Sequence, residues 1–206
     1  MNILLENIGR RFNREWIFKN INYTFEQGES YAVLGPNGSG KSTLLQIICG
    51  SLSPSVGTIT HRLENKQIDV EQVFEHISLT ASYLELIEEF TLEEIISFHF
   101  KFKSYRDGLN ATTIIDLLGL QNASQKILKY FSSGMKQRVK LALAFCSNAP
   151  VLLLDEPTSN LDIQGVQWYL SLIEQFSVNR LVIICSNQEH EYGFCDHQLK
   201  LQDYKQ

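Results

Sequence analysis

The sequence predicts an α/β fold: a mainly parallel, buried sheet with flanking helices, an N-terminal antiparallel β layer and an inserted helical subdomain. Three observations predict it. Uninterrupted apolar runs at 31–34, 151–154 and 181–184 read as parallel strands covered on both faces. Helical patterns at 42–49, 135–145 and 166–176 alternate with them. Between about 85 and 130 the strand signal gives way to apolar residues at helical spacing.

In chain order, segments 3–5, 16–18 and 21–25 alternate as antiparallel strands do. Gln27-Gly28-Glu29 turns the chain into the apolar run 31–34, a glycine-rich loop runs from Gly35 to Gly40, and the following helix should end at Gly50. Short strands are expected at 57–60 and 77–79. Helices at 93–100 and 114–118 follow, the second closed by Gly119, before the alternation resumes. The expected organisation is a single domain over 1–206. Segments 1–82 and 131–206 form the core with its β layer, and about 83–130 forms the helical subdomain.

Composition narrows the partners. A net charge of −5 gives no electrostatic case for nucleic acid, and none is expected as a partner. Cys49, Cys146, Cys185 and Cys195 form no CxxC pair, which fits buried reduced thiols in a cytoplasmic setting. The first residues meet acid at Glu6, unlike a signal peptide. No apolar run approaches the roughly 20 residues of a spanning helix, so any membrane role is expected to run through a partner.

Two constellations carry chemistry. Gly35-Pro36-Asn37-Gly38-Ser39-Gly40-Lys41-Ser42 fits G-x-x-x-x-G-K-[ST] between a strand and a helix. Its glycines let main-chain N–H groups approach a polyphosphate, and the helix start adds partial positive charge. Lys41 would neutralise the β- and γ-phosphates, and Ser42 would ligate Mg²⁺. A ligand-free glycine turn is the alternative. Asp155-Glu156, at the end of the run 151–154, supplies the other half. Asp155 is the expected second Mg²⁺ residue and Glu156 the general base acting on water. The alternative is a helix N-cap with an acidic first turn.

Phe131-Ser132-Ser133-Gly134-Met135-Lys136-Gln137-Arg138 resembles the signature of ABC ATPases, usually written LSGGQ, and Ser159-Asn160-Leu161-Asp162 resembles the D-loop of that family. With the phosphate loop from Gly35 to Thr43, order and spacing match an ABC nucleotide-binding domain along nearly the whole chain. The resemblance implies a P-loop NTPase core of the ABC ATPase fold that binds and hydrolyses ATP. It also implies a head-to-tail dimer in which Ser132, Ser133 and Gly134 of one copy cap the γ-phosphate held by the other. The helix after Gly134 would lend its dipole to that anion; a plain helix cap is the alternative. By the same resemblance Asp162 contributes from the D-loop and Phe12 stacks on adenine, though a core or surface phenylalanine reads almost as well.

Two positions depart from the family pattern. Ser82 stands where the family places a glutamine, and Asn187 where it places a histidine that meets the γ-phosphate. Serine is shorter, and asparagine cannot carry positive charge. Hydrolysis that is slow or partner-dependent is therefore expected. His190 offers a substitute imidazole, but between Glu189 and Glu191 it reads as a solvated helix residue.

The function that follows is the ATPase subunit of a membrane transporter, bound at the cytoplasmic face to an integral membrane subunit and paired with itself or a related subunit. Residues 83–90, mixing apolar and acidic side chains, suit a groove for that partner or an ordinary surface helix. The alternatives are a non-transport ABC ATPase acting on a protein assembly, and a nucleotide-binding module with little turnover.

Overall fold

A computed structural model describes residues 1–64 and 66–205. Its first layer is a four-stranded antiparallel sheet in the order β2-β1-β4-β5, formed by β1 (Asn2–Phe12), β2 (Glu15–Phe25), β4 (Val56–Leu63) and β5 (Lys66–Ile68). Ile3, Leu5 and Ile8 all face the core, although strict alternation would turn Ile8 outward. A register shift between Leu5 and Ile8 restores its direction, with Asn7 at φ 53° supplying the extra residue. A second irregularity, near Asn20 at φ 58°, joins the expected pieces 16–18 and 21–25 into one strand.

The second layer is a five-stranded sheet in the order β6-β7-β8-β3-β9, parallel at every pairing. Its strands are β3 (Ser30–Leu34), β6 (Ile77–Ala81), β7 (Val151–Asp155), β8 (Leu181–Cys185) and the edge strand β9 (His197–Lys200). Strands β7 and β8 are buried at every residue, as their unbroken apolar runs require. Helix α1 (Lys41–Ile48) follows β3, and the short α2 (Val73–His76) precedes β6. The sequence predicts no strand or helix over 61–64, 66–76 or 193–200. Their elements are short, and only pairing with longer neighbours stabilises them.

Between β6 and β7 lie α3 (Leu92–His99), α4 (Ala111–Leu118) and α5 (Ser133–Cys146). Thr91 and Glu94 close a capping box on α3, and Gly119 ends α4 in the left-handed region at φ 66°. Helix α5 joins two cores. Val139, Ala142 and Leu143 pack against α3 and α4, whereas Leu141, Ala144 and Phe145 pack against β7, β8 and α6 (Ile163–Phe176). Arginines neutralise the ends of both long helices: Arg180 donates to Phe145 O at 3.1 Å and Arg106 to Phe176 O at 2.7 Å. Burial pulls Arg180 down to about 9, with Arg106 adding repulsion. A four-residue helix, α7 (Glu189–Tyr192), is the last α-helix among the described residues, and a 3-10 turn at Leu201–Tyr204 follows β9.

Candidate functional site

The phosphate loop leaves β3 at Leu34 and enters α1 at Lys41. Gly40 sits at φ +100°, and a Cβ there would lie 2.3 Å from Ile17 Cγ2 on β2. Only glycine lets the loop lie that close to the antiparallel layer. No side chain caps α1, which leaves its first N–H groups for an anion. Asn37, Gly38, Lys41, Ser42, Thr43 and Glu156 line a cavity of about 370 Å³, with Ser39, Gly40 and Ile17 completing its wall. Lys41 Nζ donates to Gly35 O at 2.7 Å, and Ser39 N to Pro36 O at 2.9 Å.

Strand β8 lies between β3 and β7, so the carboxylate strand is not the phosphate loop's immediate neighbour. Register nonetheless aligns Val33 with Cys185 and Cys185 with Asp155 across the three strands. Asp155 is 2% exposed, with the Ser42 hydroxyl near enough to lower its pKa. Burial raises its pKa; Ser42 and Lys41 oppose that, while Glu156 adds repulsion. Its Oδ2 is buried without a hydrogen-bond partner. An orphaned carboxylate oxygen beside a serine hydroxyl fits a hard divalent cation with oxygen ligands, as Mg²⁺ requires.

Glu156 adopts φ +47°, uncommon for a residue with a side chain. Three neighbouring elements hold its loop: Glu156 N donates to Cys185 O at 2.9 Å, Gln137 Nε2 of α5 to Pro157 O at 2.8 Å, and Thr158 N to Glu191 at 2.8 Å. Lys140, also on α5, donates to Ala81 O at 3.0 Å. Sequence reasoning missed Gln137, Lys140 and Glu191. The sequence offered little signal for them: Gln137 lies between Lys136 and Arg138 on α5, yet it is 1% exposed.

At the departing positions, Ser82 is exposed in the turn after β6 and does not line the cavity. Beside it Tyr83 is 42% exposed on its outer side, and the partial burial of its phenol pushes the pKa up to about 12, Gln46 of α1 opposing the rise. Asn187 is exposed and donates to Asn37 Oδ1 of the phosphate loop at 3.2 Å. His190 is exposed, as expected, and meets Thr158 Oγ1 at 3.1 Å, whereas its neighbour Glu191 is 0% exposed. Phe12 is 47% exposed at the β1–β2 turn, with the Arg10 guanidinium 4.6 Å from its ring centroid. It lies outside the residues lining the cavity, where Ile17 takes part instead.

The signature residues line a different cavity, of about 300 Å³, with Ser132, Ser133, Gly134, Arg138, Asn160 and Asp162 in its wall. Ser132 caps α5, accepting from Met135 N at 3.2 Å; its hydroxyl hydrogen remains available to donate. Asp162 caps α6, accepting from Gly165 N at 2.8 Å. A Cβ on Gly134 would lie 2.9 Å from Asn160 O, so glycine sets the approach of signature to D-loop segment. Within one chain, then, the two sets of anion-facing donors open into separate cavities.

Known proteins match this architecture. The family profile described as ABC transporter matches residues 18–159. The lantibiotic transport ATP-binding protein SrtF of Streptococcus pyogenes is 32% identical over 189 residues, spanning 89% of this chain and 78% of that protein. The uncharacterized ABC transporter ATP-binding protein YybJ of Bacillus subtilis is 32% identical over 203 residues, 95% of this chain and 90% of its own. Among solved structures, a putative ABC transporter ATP-binding protein from Pyrococcus furiosus superposes with a TM-score of 0.83 at 24% identity, covering 100% of both chains. An ATP-binding cassette solved as a dimer in a post-hydrolysis state with ADP and Pi gives 0.80 at 23% identity, covering 96% of this chain and 93% of that one.

Proposed function

Because the chain belongs to the ABC transporter family and is an ABC-type ATPase, we propose that it closes head-to-tail, with a second copy or a related subunit, on two ATP molecules to power a membrane transporter. The observation that carries this reading is the pair of separate cavities. One copy's loop binds the phosphates through Gly35, Pro36, Asn37, Gly38, Ser39, Gly40 and Thr43, with Lys41 neutralising their charge. The partner's Ser132, Ser133 and Gly134 donate to the γ-phosphate, and its Asp162 orders the D-loop beside them. Ser42 and Asp155 would hold Mg²⁺. When bound, that ion would neutralise charge between the β- and γ-phosphates. Glu156 orients the attacking water and takes its proton. Phe12 stacks on adenine at the rim. Asn187 offers the γ-phosphate a neutral donor and Ser82 a distant hydroxyl, so turnover is slow or depends on the partner.

The transporter half of the reading rests on the relatives and on a surface groove. Residues of about 83–130 form the arm that meets an integral membrane subunit. Leu86, Ile87, Phe98, His99, Phe102 and Lys103 line a depression of about 270 Å³ there, mostly apolar. No helix among the described residues is long and apolar enough to cross a membrane. By the reading proposed here the chain acts peripherally, at the cytoplasmic face.

Glu156→Gln tests the closure. With turnover blocked, Mg-ATP should convert the purified protein to a dimer by light scattering, and Ser132→Arg in the same background should leave it monomeric while it still binds ATP. A Glu156→Gln protein that stays monomeric at high concentration, with its membrane subunit present, overturns the proposal.

A further inference from the structure

We propose that Glu191 is a positioning residue for hydrolysis, its buried carboxylate tying the loop that carries Glu156 to the segment that carries Asn187; this rests on the function proposed above. Glu191 lies on α7, behind the site, and is 0% exposed. A buried carboxylate is costly unless its lone pairs are used. Here both oxygens are used, on different segments. Oε1 accepts from Thr158 N at 2.8 Å and from the Thr158 hydroxyl, two residues beyond Glu156. Oε2 accepts from the Ser186 hydroxyl, one residue before Asn187.

The surrounding bonds make this a frame. Ser186 Oγ also accepts from Gln188 N at 2.8 Å, closing the turn that presents Asn187 to Asn37. Tyr169, fully buried on α6, donates its hydroxyl to Glu191 O at 2.9 Å and so anchors α7 itself. The Thr158 hydroxyl spends its hydrogen on Glu191, so His190 Nε2 must donate to that oxygen across their 3.1 Å contact. Two γ-phosphate-facing groups from different strands are thereby referred to a single side chain. Glu156, at φ +47°, needs such external restraint because its backbone does not favour the geometry that it adopts.

A glutamine keeps the shape but has only one acceptor atom, so Glu191→Gln retains one arm and loses the other. Single-turnover hydrolysis with excess protein should slow by about 10-fold, as when one well-placed hydrogen bond is lost. ATP affinity by fluorescent-analogue titration, and ATP-dependent dimerisation in the Glu156→Gln background, should stay within twofold of the parent. Ser186→Ala, which removes the second arm alone, should slow hydrolysis similarly, and the double variant should be no slower than the worse single one. Rates that multiply in the double variant, or an unchanged rate in both single variants, overturn the proposal. So does a rate loss accompanied by an equal loss of ATP binding, since that marks general disruption. Should Glu191→Gln fail to fold, Ser186→Ala paired with Thr158→Val supplies the same cycle. A parent protein that never dimerises with ATP instead sinks the head-to-tail reading and leaves the frame to be judged by the hydrolysis cycle.

Discussion

Replacing Asn187 with histidine should accelerate hydrolysis. Asn187 Nδ2 already reaches the phosphate loop, 3.2 Å from Asn37 Oδ1, so a longer imidazole at the same backbone position would project toward the γ-phosphate. The substitution exchanges a neutral donor for one that can be charged. A neutral hydrogen bond contributes about 1 kcal/mol net and one to a charged group about 1.5–3 kcal/mol. Because position 187 is exposed, the lower end applies, a gain of about 0.5–1.5 kcal/mol or roughly 2- to 10-fold in rate. The charge requires protonation, and an ordinary imidazole titrates near 6.5. The gain should therefore be largest at about pH 6 and shrink by about pH 8, whereas the parent shows no such slope from this position. Single-turnover hydrolysis at saturating Mg-ATP across that range is the assay. A variant that binds ATP normally and hydrolyses no faster than the parent at any of these pH values would refute the reasoning.

Asp155→Asn should separate stability from activity. Burial raises the Asp155 pKa, so its folded form binds a proton more readily than its unfolded form. The linkage sign follows: its contribution to stability is present at low pH and lost as pH rises through the raised pKa. At neutral pH without Mg²⁺ the variant should melt higher by a few degrees, about 1 kcal/mol, yet lose hydrolysis by at least about 100-fold. A lower melting temperature would count against the orphaned-carboxylate reading. His99 has the opposite linkage. Ser147 Oγ donates to Leu143 O at 2.7 Å, so His99 Nε2 donates to Ser147 across 2.9 Å. Burial, with Lys103 nearby, pulls the imidazole down to about 4. The unfolded chain binds this proton first, so stability is full above about pH 6.5 and falls toward pH 4, by about 2 kcal/mol at pH 5. Urea midpoints at pH 7.5 and 5 should differ less in His99→Gln than in the parent; equal differences would refute it.

Much of this was legible in the residue order, for physical reasons that differ by element. The runs 151–154 and 181–184 could only be buried strands, because nothing polar interrupts them, and β7 and β8 are buried throughout. Gly119 announced the end of α4, and it adopts the left-handed geometry of a helix stop. Phosphate loop and Asp155-Glu156 were readable because their chemistry needs glycines, a lysine and carboxylates at set spacing. Glu191 drew no reading of its own, since a short polar stretch carries no signal of burial, yet it is 0% exposed. The weak strand β9 was missed likewise, its sequence His-Gln-Leu-Lys holding one buried residue.

The sequence by itself determined the fold class, the family and the groups proposed to hold phosphate and a divalent ion, because these depend on residue type and local spacing. Tertiary structure alone decided that β8 stands between the phosphate-loop strand and the carboxylate strand, that Ser82 is exposed and stays out of the phosphate-loop cavity, and that the signature opens into its own cavity. It also decided that one buried glutamate meets both Thr158 and Ser186. Those facts relate segments far apart in the chain, and a hydrogen bond between such segments is set by how the layers pack.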